Sequence, residues 1–498
     1  MTGQTFNDPP PSRDLPLPPT ATMDPGPDAR PGACFRVCSG AGPDNSAAAG
    51  VTVDPDRDVG TRRMQAWIGG CVLVCIAVLV TILTAAIASV PTGTGGGDGR
   101  GWPASSSAAP SSAPSSASSS AAPVDRTRVD GLLGAHAAAL LSGDEAGWLD
   151  VADPTRPDVV AWYRQLYSTL RALQVTWFEY RVPREIADGR PGPRPEQVFL
   201  RYCLGGVACD WRSHHAVTGL RLQFIERDGR WFVTDVPDRA DGWNTAVDPP
   251  PWLVDPLQVH RQGSVIVAAP AALAGRSSAV LAAAVRATAV VDRYTRPAAT
   301  PPTYLIYLAG AAQWSTWHDG LGRYDAILGV AVPMSSIQIA VVLRMDRIDP
   351  DELDATLRHE MGHVVTLFGE PDSPTSPNPA NDWAGEGIAE YISRTGLPRA
   401  TYPRLRSVRA YLRAGRWDGA LPIHINTTDR QTADATYGLG YLVIGYLADT
   451  YGEPAMLRLV DDLLRNGASV TDAARTALGH DWPIVAAGIA AYLRQVAR

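Results

Sequence analysis

His359-Glu360-Met361-Gly362-His363 places two imidazoles at i and i+4. On a helix both project from one face, a turn apart, so they can reach one ion at about 2.0 to 2.1 Å. Glu360, beside the first of them, stands where a carboxylate acts as general base on a water held by that ion. With 9 His and 11 Glu in 498 residues, such a pattern arises by chance about once in 300 chains. Glu386 follows within Trp383-Ala384-Gly385-Glu386-Gly387-Ile388-Ala389-Glu390-Tyr391. A catalytic zinc takes three protein ligands and keeps one position open, so Glu386 is the expected third ligand. Glu390, one turn on, is expected to accept the free N–H of a ligand histidine and fix its tautomer. A random pair of helical glutamates is usually solvated, and the upstream histidines reverse that preference.

These side chains need elements to hold them. Ser278 to Tyr294 reads as a helix, Tyr304 to Leu308 as a strand and Ile337 to Met345 as an apolar strand. The last of these is either a core strand or an edge that pairs with an extended peptide. Asp349-Pro350-Asp351-Glu352 predicts the start of the histidine-bearing helix, with an N-cap, Pro in the first turn and acidic residues at the positive end of the dipole.

From about Ser278 to Arg494 the chain resembles the gluzincin metallopeptidases, and within them the peptidase MA-like family. The resemblance rests on H-E-M-G-H, on the E-G-I-A-E-Y segment, and on Tyr437-Gly438-Leu439-Gly440-Tyr441 with Tyr451-Gly452-Glu453. It implies a mainly helical domain over 260–498 with a small edge-strand sheet, one Zn2+ on His359, His363 and Glu386, and hydrolysis of peptide bonds by a water that Glu360 activates. It also implies a Tyr or His beyond the third ligand that stabilises the oxyanion; Tyr437 is the first candidate, with Tyr441 and His424 behind it. No motif for a free-amine anchor is present, which favours an endopeptidase over an aminopeptidase. A second reading, a cell-surface binding or scaffolding protein that keeps zinc but catalyses weakly, leaves the presence of Glu360 without a purpose.

Upstream, Val129, Leu132, Leu133, Ala137, Leu140 and Leu141 recur at helical steps. Val175 to Val182 and Val198 to Leu204 read as strands, and Val217 to Ile225 joins Trp231 to Val236 through Arg227-Asp228-Gly229, a hairpin signal. Helices followed by a curved antiparallel sheet ending in Trp-Phe-Val-Thr-Asp-Val resemble the cone-shaped NTF2-like α+β domains, here over 124–250. The fold class expected for the whole is therefore α+β. Cys203 and Cys209 are expected to close a small disulfide loop, the alternative being two separately buried thiols. Asp248-Pro249-Pro250-Pro251 and the next dozen residues read as the boundary between the two domains.

Residues 66–90 carry no charge and are long enough, at about 38 Å of helix, to span a bilayer. Arg57, Arg62 and Arg63 precede this run, and only Arg100 follows closely, so the N-terminus is expected in the cytoplasm and the folded domains outside the plasma membrane. Residues 1–65, rich in Pro, Gly, Ala and Asp, read as disordered, and 91–123, built of Ser, Ala, Pro and Gly, as a stalk. Cys34 and Cys38 carry no expectation. The 46 Gly and 42 Pro fit a chain that is folded only in part.

A net charge of -7 without any basic block excludes a nucleic-acid footprint. The sequence contains no Lys, which removes Walker A loops, Schiff-base sites and Ser-Lys hydrolases. No G-x-S-x-G elbow is present. His214-His215 and His318-Asp319 are expected in loops or at the surface, and Trp314, Trp317 and Trp417 in the core or at its rim. Arg458, Asp461, Asp462 and Arg465 are expected on a solvated helix face. Expected partners are a peptide or protein substrate and the membrane, and the composition fits a bacterial cell envelope.

Overall fold

The computed structural model describes residues 126–183, 195–212, 215–239, 249–296, 299–321, 327–369, 381–421, 423–426 and 429–498. The expected membrane span 66–90, the segment 1–65 with Cys34 and Cys38, the stalk 91–123 and His214 lie outside them. Among the described residues no helix is long and apolar enough to cross a membrane.

The first layer begins with α1 (Arg126–Ser142), whose Val129, Leu133, Ala137 and Leu140 form one buried stripe at steps of three and four. α2 (Glu145–Leu149) is capped by the Asp144 side chain, which accepts from the Gly147 N–H, and α3 (Pro157–Ala172) opens on a proline that needs no partner there. Then β1 (Trp177–Arg181), β2 (Pro195–Cys203), β3 (Ala216–Arg227) and β4 (Arg230–Val233) pair antiparallel in chain order, with β5 (Asp238–Arg239) on the side of β3. The β3–β4 turn has Asp228 at φ 51° and Gly229 at φ 78°, the two left-handed residues that a tight hairpin requires. Cys203 and Cys209 are joined, with Sγ–Sγ 2.04 Å.

The second layer is a mixed sheet. After α4 (Pro251–Val254) come β6 (Leu257–Gln262), β7 (Val265–Pro270), α5 (Ala274–Val291), β8 (Tyr304–Ala309), α6 (Ala311–Thr316), β9 (Gly329–Ser335) and β10 (Gln338–Arg344). The strand order is β6-β7-β8-β10-β9, with β7, β8 and β10 parallel to one another and hairpins at both ends. Both faces of the three parallel strands, β7, β8 and β10, are buried. Val265, Val267, Tyr304, Ile306, Val341 and Leu343 join the core of the helical region, whereas Ile266, Ala268, Leu305, Tyr307, Ala340 and Val342 join the core of the first layer. Alternate residues thus serve opposite cores, which is why these strands are apolar throughout. β10, the strand expected over Ile337 to Met345, has neighbours on both sides and is a core strand; β9 is the edge. The residues expected as a boundary after Pro251 supply α4 and β6.

The helical region consists of α7 (Leu353–Leu367), α8 (Asp382–Ser393), α9 (Leu405–Arg413), α10 (Arg430–Tyr451), α11 (Glu453–Leu464), α12 (Val470–Leu478) and α13 (Trp482–Ala497). α7 starts later than the sequence suggests. Asp349 to Glu352 form a turn, closed by the Glu352 N–H on the Asp349 carbonyl at 3.0 Å, and Glu352 is an N-cap without a capping side-chain bond. Arg465 also departs from expectation. It is 8% exposed and donates to the carbonyls of Phe368 and, at 2.6 Å, Val365, satisfying orphan groups at the end of α7. Asp461, beside it, is half-buried and pairs with Arg296 and Arg465, so this part of α11 clamps α7, whereas Arg458 is exposed as expected of a solvated face. His215 and His318 are likewise buried in their loops. Trp314 and Trp317 are core residues.

Glycines set how closely α8 and α10 cross. A Cβ at Gly387 would sit 2.7 Å from the Gly440 carbonyl oxygen, and one at Gly440 would sit 3.2 Å from the Gly387 Cα. Backbone cannot yield as a side-chain tip does, so the helices would have to part. Gly387→Ala is expected to destabilise the protein by about 1–3 kcal/mol, the usual penalty of overpacking. Urea unfolding of the full chain followed by tryptophan fluorescence checks this, and a midpoint equal to the parent's would show that the crossing is not set there.

Candidate metal and catalytic centre

α7 presents two stripes. Leu357, Met361 and Val364 enter the core, and His359 and His363 turn toward α8. Gly362 brings the two helices close, since its missing Cβ would lie 3.4 Å from the Ala389 Cα. α8 answers with Glu386 opposite the pair and Glu390 one turn on.

Three donor atoms converge. His359 Nε2 lies 3.2 Å from His363 Nε2, and Glu386 Oε2 lies 3.2 Å from the first and 3.4 Å from the second. The edge of a tetrahedron around zinc, with ligands at about 2.0–2.1 Å, is about 3.3–3.4 Å. The spacing therefore fits one zinc ion. Glu386 is 4% exposed, and its Oε2 has no hydrogen-bond partner. An acceptor of this kind, buried opposite two ring nitrogens, needs a cation to offset its desolvation. Burial alone would raise the Glu386 pKa, but the His363 and His359 rings overcome it and hold the carboxylate below its ordinary range.

Glu360 is 5% exposed and lines the cleft beside the triad. Burial, reinforced by the charges of Glu386 and Glu390, pushes its carboxyl up to about 8, against the pull of His363 and of the Ala331 N–H. Ala331 belongs to β9, which touches Glu360 a second time at Gly329. A Cβ there would lie 2.8 Å from both Cγ and Oε1 of the glutamate. The edge strand thus positions the carboxylate by one N–H and by one absent side chain.

Glu390 reaches His359, with Oε1 3.6 Å from Nδ1. Its other contacts have no counterpart in the sequence reading. Tyr402 donates to Oε2 at 3.1 Å and Arg404 donates to Oε1, so the carboxylate is held on both oxygens. Asp382, a turn before Glu386, is pushed up to about 6, by burial first and by the Glu386 charge second.

The cleft in front of these groups has a volume of about 330 Å³. Its walls include Ile327, Leu328 and Gly329 from the β9 end, Thr356, His359 and Glu360 from α7, Glu390 and Arg394 from the end of α8, Arg404, and Arg430, Asp434 and Tyr437 from α10. Of the three residues weighed for the oxyanion role, Tyr437 alone lines this cleft, its ring centre 6.1 Å from that of His359. Tyr441 is buried against Tyr402, with ring centres 4.2 Å apart, and His424 is exposed away from the cleft lining.

Among the described residues, His359, His363 and Glu386 are the one group of three His, Cys, Asp or Glu whose ligand atoms lie within 4.8 Å of one another. No protein-family profile matches the sequence, and no curated protein matches it. Among solved structures, an M1 zinc metallopeptidase from Deinococcus radiodurans is 15% identical, over 55% of this chain and 58% of that one, with a TM-score of 0.30. A mutant from the same organism bound to a Tyr-Ser-Ala substrate gives 15% identity over 54% and 58%, also with a TM-score of 0.30. A two-domain M1 zinc metallopeptidase mutant bound to L-tryptophan gives 16% over 55% and 58%, with a TM-score of 0.29. The chain thus spans 58% of the length of each of these structures.

Proposed function

We propose that the chain is a membrane-anchored, extracytoplasmic zinc metallopeptidase of gluzincin type, with an NTF2-like domain between its stalk and its peptidase domain. One observation carries the catalytic reading: three donor atoms converge at 3.2, 3.2 and 3.4 Å, on the half-buried His359 and the buried His363 and Glu386, and a further carboxylate, Glu360, stands beside His359 on the wall of the cleft. Anchoring and orientation rest on the uncharged run 66–90 and the arginines before it.

His359, His363 and Glu386 would hold the zinc. When bound, zinc polarises a carbonyl and lowers the pKa of water toward 7. Glu360 takes the proton of the attacking water and returns it to the leaving amine. The Ala331 N–H and the space at Gly329 hold that carboxylate at the cleft. Tyr437 supplies a hydroxyl toward the developing oxyanion. Water is the nucleophile, so no covalent enzyme intermediate is needed. β9, the edge of its sheet, offers the free backbone groups of its outer side, other than the Ala331 N–H, to an extended peptide, which then runs past Glu360.

The test is digestion of a mixed peptide library by the zinc-loaded full chain, with product termini read by mass spectrometry. Internal cleavage that disappears on chelation and returns with zinc is expected. A library left intact by a protein holding one zinc per chain would rule out the peptidase reading and leave a zinc-retaining binding protein.

A further inference from the structure

We propose that Arg404 is a positioning residue that ties the metal half of the site to its tyrosine half; the inference rests on the zinc-peptidase reading above. Arg404 sits at the N-cap of α9 with its side chain half-buried. Its Nη1 donates to Glu390 Oε1 and its Nε donates to Asp434 Oδ1 at 3.0 Å. The guanidinium carbon is 5.5 Å from the centre of the Tyr437 ring. One planar group therefore touches the carboxylate behind His359, an aspartate on α10, and the tyrosine that lies one helical turn along from that aspartate.

A counter-ion for two carboxylates explains only part of this. Glutamate on a helix has three rotors, and a carboxylate that is to face His359 Nδ1 must have all of them set. Tyr402 holds Oε2 and Arg404 holds Oε1, which fixes the plane of the group. The same guanidinium braces α10 through Asp434 and lies against the ring of Tyr437. Close approach is built in, since a Cβ at Gly438 would lie 2.4 Å from Val408 Cγ2 and 3.5 Å from the Arg404 Cβ. Lysine would keep the charge but has no planar fork with which to reach both carboxylates while lying along the ring. Arg404→Lys therefore separates geometry from charge.

The experiment uses the full chain and two readouts. Zinc affinity is measured by competition with a chromophoric chelator, and kcat and KM with a cleaved peptide, for the parent, Arg404→Lys, Tyr437→Phe and the double variant. Arg404→Lys is expected to weaken zinc about 10 to 100-fold, as loss of support behind a ligand does. It should lower kcat more than it changes KM, and Tyr437→Phe should then cost less in the Arg404→Lys background than in the parent. Zinc affinity within twofold of the parent, together with an undiminished effect of Tyr437→Phe, would show that Arg404 is only a counter-ion and overturn the proposal. Should Arg404→Lys fail to fold, Asp434→Ala keeps the bond to Glu390 and removes the acceptor through which Arg404 braces α10; lowered kcat at parental zinc affinity supports the coupling, and unchanged kcat refutes it. The zinc arm needs no substrate, so a parent that binds zinc without cleaving peptides ends the peptidase reading while the metal half of this inference is still decided.

Discussion

Glu360→Gln is expected to keep one zinc per chain and to lower kcat by about 10² to 10⁴-fold, the contribution of a positioned general base. That range is about 3 to 5.5 kcal/mol of barrier. The amide is isosteric with the carboxylate, so it still fits against Gly329, and its oxygen can still accept from the Ala331 N–H. What it lacks is a site for the proton. Binding should change little, because neither zinc nor an edge-paired peptide depends on that proton, and KM should stay within a few-fold. Burial beside the charges of Glu386 and Glu390 opposes ionisation of Glu360, so the neutral side chain should leave the melting temperature equal or raised. Metal content by mass spectrometry and steady-state kinetics on the same preparation make the test. Cleavage at the parental rate would place the base elsewhere in the cleft.

Glu386→Ala acts on the other half of the chemistry. It removes the buried oxygen that closes the triad at 3.2 and 3.4 Å from the two ring nitrogens, leaving two ligands on one helix face. Loss of support behind a ligand already reduces affinity by about 10 to 100-fold, and loss of the ligand itself should exceed the upper figure. The parent is expected to be stabilised by zinc by about 2.7 kcal/mol when free zinc is 100 times its dissociation constant. The variant should show almost none of this at the same zinc concentration. Calorimetric melts with and without zinc read the difference directly, alongside metal content. Equal stabilisation of parent and variant would move the third ligand away from Glu386.

The metal triad was legible because its information is local. Two histidines four residues apart face the same way on any helix, and a glutamate pair at the same spacing on a second helix completes the set whatever the loop between them does. The Asp228-Gly229 hairpin was legible for the same reason, since its backbone needs left-handed residues at two adjacent positions. β9 was missed. Gly329 and Pro333 weaken any strand signal, and the structure shows why both are there: Gly329 leaves room for Glu360, and a strand at the edge can carry a proline. The apolar run of β10 was legible as a strand, but its pattern alone could not separate an edge from a core strand, because that depends on whether β9 pairs beside it.

The sequence by itself determined the candidate zinc ligands His359, His363 and Glu386, the candidate base Glu360 and most of the elements that carry them, since each follows from spacing along one or two helices. Only the tertiary structure decided what those groups lean on. Tyr402 and Arg404 meet Glu390 from a loop, Arg465 caps α7 from α11, and Tyr437 enters the cleft while Tyr441, one turn away, is buried. Each of these contacts joins residues 12 or more apart, and the crossings of α10 with α8 and α9 that frame the site are set by missing side chains at Gly387, Gly438 and Gly440. A linear pattern records which face a residue takes on its own helix, and it does not record which other helix will be there to meet it.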